Sequence, residues 1–182
     1  MKTLTKKIQA LMLCGFLCAS GASIASANFQ TVGHQVTVRV PEILSITADT
    51  TAFTLTFSDF ANGSESDTKT VVYSVMSNDM RQADGDAAMT GNVDFLFDRV
   101  DLRAQVGSYT KVAGNTNLAA ASANYVSIAD TNTTLANKAN TDVGTDGTTM
   151  KGTIPITYKA VAQGDVPSGD QTHFLFITLT TR

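Results

Sequence analysis

The stretch "NFQTVGHQVTVRVPEILSI", Asn28–Ile46, decides how this chain is read. Val32, Val36, Val38 and Val40 share one parity, interrupted by His34, so an extended backbone puts them on one face. Pro41 stops that run, and "EILSIT" begins a second strand directly after it. No turn residues lie between the two, so they cannot fold back as a tight hairpin. They are expected to continue in line or to bend once, which leaves the first strand projecting with an apolar face. A projecting strand of that kind invites pairing with another chain. The plainer reading is that Asn28–Val40 is an ordinary first strand in its own sheet.

The residues before Asn28 read as an export signal. Lys2, Lys6 and Lys7 precede the apolar run "IQALMLCGFLCA", and small residues follow, ending "ASA" at Ala25–Ala27. A basic start, a short apolar centre and an A-x-A site define a secretory signal peptide, here residues 1–27. Leu precedes both Cys14 and Cys18, which argues against lipoprotein cleavage. Processing after Ala27 would remove both cysteines and leave 155 residues that can form no disulfide. Losing three lysines leaves 10 basic residues against 16 acidic ones, a net charge of −6. That balance disfavours nucleic acid and anionic lipid as partners. No later apolar stretch is long enough to insert in a membrane.

Beyond Pro41 the pattern is β nearly throughout. Strands are expected in "FTLTFSDF" (53–60), "TVVYSVMS" (70–77), "VDFLFDRVDL" (93–102), "GTIPITYKAVA" (152–162) and "THFLFITLTT" (172–181). A phase shift near Lys159 suggests a bulge, and Pro155 an edge strand or an interrupted ladder. "SNDMRQADGDAAMTGN" reads as a long loop. Ala113–Lys151, rich in Ala, Asn, Thr, Gly and Asp, reads as surface loops and short edge strands, with "NYVSIA" its one firm strand. Many short strands without an amphipathic helix predict an all-β sandwich, with an up-and-down barrel as the alternative.

Catalytic signals are absent. The mature chain has no Cys, its two His (His34 and His173) lack metal-binding spacing, and no G-x-S-x-G elbow occurs. No enzyme activity, cofactor or metal is therefore expected. Asp79, Asp84 and Asp86 share one loop and Asp142 and Asp146 another. Neither has the bidentate carboxylate that closes a calcium loop, so both read as solvated turns.

Taken in order, "VTVRVPEILSI", "LTF" at Leu55–Phe57, "VVYSVMSND" at Val71–Asp79 and the run from Gly169 through "FITLT" resemble pilin subunits of bacterial chaperone–usher fimbriae. The likeness is greatest to the alpha-type colonization-factor major pilins. It covers most of the mature chain and is weak over Ala113–Lys151. It implies an immunoglobulin-like β-sandwich (residues 41–182) that lacks its closing strand, preceded by an N-terminal donor strand (residues 28–40). It implies a structural, adhesion-supporting subunit that polymerises by donor-strand exchange and is carried to the cell surface by a periplasmic chaperone and an outer-membrane usher. Val32, Val36, Val38 and Val40 would be the donor residues. Leu175, Ile177 and Leu179 would line the groove edge, since the sequence stops soon after "FLFITLTTR" with no further strand. Many classical pilins carry a penultimate Tyr; Thr181 stands here, which departs from that subclass. The rival expectation is a self-complete secreted sandwich that binds carbohydrate or host matrix.

Overall fold

Ten strands and no helix form among the residues that the computed structural model describes: Gly33, residues 35–140 and residues 148–181. Residues 1–27, expected as a signal peptide, and Val32, His34, Asp142 and Asp146 lie outside these. The chain divides into two units, Met1–Arg39 and Val40–Arg182. In the first, residues 35–39 form no strand, and Val36 and Val38 are 79% and 81% exposed. This departs from the strand expected over Asn28–Val40. A β-strand exists through its ladder bonds, and alternation supplies only the potential for them.

The second unit holds two antiparallel sheets, the arrangement of a β-sandwich. The first sheet runs β1 (Leu44–Ala48), β2 (Lys69–Ser77), β9 (Met150–Ala162), β4 (Val100–Val106), β7 (Val126–Ser127), with β5 (Thr110–Gly114) also on β9. The second runs β10 (Leu175–Leu179), β3 (Ala87–Val93), β8 (Thr133–Asn140), β6 (Thr116–Ala120). The core lies between them, built from Val71, Val75, Met89, Val93, Leu118, Leu135, Ile154, Ile156 and their neighbours.

β9 is the spine of the first sheet. Ile154, Ile156, Tyr158 and Ala160 alternate inward without the bulge expected at Lys159. Pro155 sits in a central strand and interrupts a ladder. β4 pairs with β9 as far as Ile156, and β5 takes over at Thr153. Gly107 N donates to Pro155 O, so the prolyl nitrogen also faces this gap between β4 and β5, where no ladder donor is needed.

Two expected strands do not form as read. Over 53–60 the alternation survives, with Phe53, Leu55 and Phe57 half-buried, but the backbone forms no ladder beyond an isolated bridge, Phe57 to Ser66. Over 93–102, β3 ends at Val93. The Asp94 carboxylate accepts from Phe95 N at 2.9 Å and turns the chain, and Arg99 adopts a left-handed φ of 55° before β4 begins.

Two polar stretches hold more strand than expected. Residues 87–92, in the expected loop after Ser77, belong to β3, and Ala113–Lys151 adds β6 and β8 to the strand expected in "NYVSIA" (β7), with Leu118, Ile128 and Leu135 buried. β3 and β8 carry paired irregularities of opposite sense, between Ala87 and Met89 and between Met89 and Thr90. These explain why Ala88 with Met89, and Leu135 with Ala136, are buried as neighbours. A period of two is lost at such a site, and the sequence reads as loop.

Tyr158 is wholly buried, its ring stacks on Phe53 at 5.1 Å, and its hydroxyl lies 2.9 Å from that of Tyr73. Burial pushes both phenols above their ordinary range, Tyr158 far above it. The unfolded chain ionises near pH 10, whereas the folded chain holds both protons to higher pH. The contribution of this pair to stability is therefore constant below about pH 10 and falls above it, by up to ~1.4 kcal/mol per pH unit per tyrosine. Urea titrations at pH 8, 10 and 11.5 are expected to show this fall, with a shallower slope in Tyr158→Phe. A midpoint that does not move between pH 10 and 11.5 would contradict it.

Candidate functional site

Both sheets end on strands whose core-facing side chains are incompletely covered. β1 edges the first sheet and β10 the second, and the two strands approach each other. Neither has a ladder partner on its outer side among the described residues. On β1, Leu44, Ile46 and Ala48 stand opposite Ser77, Val75 and Tyr73. Those three are buried, which fixes the shared face as the core face. Yet Leu44 is 47% exposed and Ile46 only half-buried.

β10 repeats the pattern. Leu175, Ile177 and Leu179 stand opposite Val93, Gly91 and Met89, all buried. Leu179 is buried, whereas Leu175 and Ile177 are half-buried. Gly91 matters here: a side chain there would meet Leu135 at 2.9 Å and Ile177 at 3.1 Å, so its absence lets Ile177 lean onto the core. The Leu179 end is fastened. Arg81 N donates to Thr181 O at 3.0 Å, Thr180 N to Ala88 O at 2.9 Å, and the Gln82 amide to Thr180 O. The result is an apolar strip with an unpaired backbone edge on either side.

The residues expected to act together are thus located as follows. Leu175, Ile177 and Leu179 lie together on one edge strand and face the core. Val36, Val38 and Val40 are all exposed, at 79%, 81% and 73%, and Val32 lies outside the described residues. Sequence reasoning overlooked Leu44 and Ile46 as the other lip. "LSITA" was legible as a strand, but alternation does not say which strands are edges. His173 packs edge-on to Phe97 at 4.5 Å, with Nδ1 3.4 Å from Asp94. Asp79 pairs with Arg81, and the Asp86 carboxylate accepts from Ala83 N, so both act within their own turns. An open cavity of about 370 Å³ beside Gly107, Tyr109 and Asn117 offers polar lining and no nucleophile–base pair. No family model, curated protein or solved structure matches the chain.

Proposed function

We propose that the chain is a structural subunit of a bacterial surface fimbria and that it polymerises by strand addition. One observation carries this reading: core-facing apolar side chains stand half-covered along both β1 and β10, whose outer backbone edges are unpaired. On this reading the sandwich is an immunoglobulin-like fold one strand short. The segment that best fits it is the valine face of Asn28–Val40 from another copy, since Val36, Val38 and Val40 are exposed and share a parity. Supplied by a neighbour, the strand joins subunits head to tail, and such a contact propagates rather than closes.

The energies suit a permanent joint. Burying four valines contributes about 6–12 kcal/mol gross, before the cost of ordering the segment. Ladder bonds to an open edge add persistence, because all must break together before the strand can leave. The same uncovered strip is a hazard before assembly. A periplasmic chaperone that lends its own strand, and an usher that exchanges it, meet that hazard during export to the cell surface.

Removing residues 28–40 from the gene, with the signal segment kept, tests the reading. The truncated chain is expected to reach the periplasm and to form no fibres by electron microscopy. Fibres of normal length from this variant would disprove the donor assignment.

A further inference from the structure

The outward face of β10 is also unusual. Phe174 is 72% and Phe176 49% exposed, and their rings lie 6.4 Å apart at 29° to each other. Phe95 and Leu96, on the turn after β3, are 70% and 61% exposed. The His173 ring lies 6.4 Å from Phe95 and 4.5 Å from Phe97. The Asp94 carboxylate fixes the arrangement by accepting from Phe95 N and Phe174 N at 2.9 and 3.0 Å. Four large apolar side chains exposed on two segments that Asp94 ties together mark a contact surface, where scattered ones would not.

The chemistry of the contact follows from parity. Phe174 and Phe176 alternate with Leu175 and Ile177. A strand added along β10 with its valines toward the core turns its other parity to the side that carries the two rings. Over residues 35–40 that parity is Gln35, Thr37 and Arg39, and Arg39 is the segment's only arginine or lysine. A guanidinium is planar, weakly hydrated and stacks on ring faces, which an ammonium does less well. The patch it would meet carries a carboxylate at its margin, Asp94, with a side chain 26% exposed.

We propose that Arg39 of one copy lies over the Phe174–Phe176 pair of the next, on the solvent side of the joint and beside Asp94. The inference rests on the strand-addition reading and adds the partner of this second face. It gives the joint a preference for its own strand that an equally apolar strand without the arginine lacks.

Fibres of the full exported chain provide the test, through their dissociation rate in denaturant. Arg39→Gln, and separately Phe174→Ser with Phe176→Ser, are expected to assemble and then to dissociate about 3- to 30-fold faster than the parent, the span for a cation over exposed to desolvated rings. Arg39→Lys is expected to fall between. Combining Arg39→Gln with both serine changes is expected to add little beyond the larger single effect, the mark of one shared contact. Effects that multiply would overturn the proposal, as would faster dissociation in the serine variant alone, which would assign the rings to another surface of the neighbour. Parent fibres that form normally beside an Arg39→Gln variant with unchanged dissociation sink this contact and leave strand addition standing. A parent chain that never polymerises removes both.

Discussion

Val38→Asp is expected to abolish fibre formation while leaving the urea midpoint of the monomer unchanged. Val38 is 81% exposed in the chain itself, so an aspartate there stays in water and alters little. In the proposed joint the same carboxylate would enter the strip between β1 and β10, among Leu44, Ile46, Leu175 and Ile177. Leaving a charge buried without a partner costs about 3–5 kcal/mol. The lost valine contributes about 1.5–3 kcal/mol more. Together these remove most of what four valines supply. Asn132→Ala, in the exposed turn between β7 and β8, is expected to assemble as the parent does. Sedimentation and negative-stain microscopy of exported protein read the outcome. Equal assembly of the two variants would sink the donor role of Val38. A lowered monomer midpoint in Val38→Asp would place this valine in its own domain's core.

The strands legible in the sequence are those that keep one phase against regular partners. β2 and β9 pair along a straight nine-residue ladder, with inward positions alternating from Val71 to Ser77 and from Met150 to Ala160, and both were readable from pattern. β3 and β8 were not, because each changes phase where the other does and their buried residues include Ala88, Gly91, Ala136 and Lys138. Small residues and a lysine carry little hydrophobic signal even when they are wholly inside. The β10 lip was visible as "LFITL", whose inward residues are long aliphatics. The β1 lip was not assigned, because edge position is a property of topology and leaves no mark on a five-residue strand. Phe53–Phe57 shows the converse. Its alternation is real and points the rings inward, but no neighbouring backbone lies in register to make it a strand.

Lys138→Ala is expected to be among the most damaging single changes in the domain, although it falls in the polar run "TTLANKAN". Lys138 is 5% exposed, and its Nζ donates to Gln82 O at 2.6 Å and to Met80 O at 3.0 Å. Its backbone is tied in too, with Lys138 N donating to Asp86 O and Gly85 N to Lys138 O. The side chain thus anchors the Met80–Gln82 segment from within the second sheet. That segment in turn fastens the end of β10, through Arg81 N to Thr181 O and the Gln82 amide to Thr180 O. Truncation to alanine leaves two carbonyls without their charge-assisted donor and opens a cavity along the lost stem. The expected cost is about 3–5 kcal/mol in urea unfolding. Lys138→Met keeps the apolar stem and loses only the ammonium, so about 1–3 kcal/mol is expected. Because the fault lies beside the proposed assembly edge, Lys138→Met is also expected to speed amide exchange at Arg81, whose hydrogen bond closes the far end of β10. A loss below about 1 kcal/mol in Lys138→Ala, or unaltered exchange at Arg81 in Lys138→Met, would mean that β10 is fastened without this lysine. In that case the strip's closed end would depend on Leu179 and Met80 packing alone, and substitutions at those two residues would become the decisive ones for assembly.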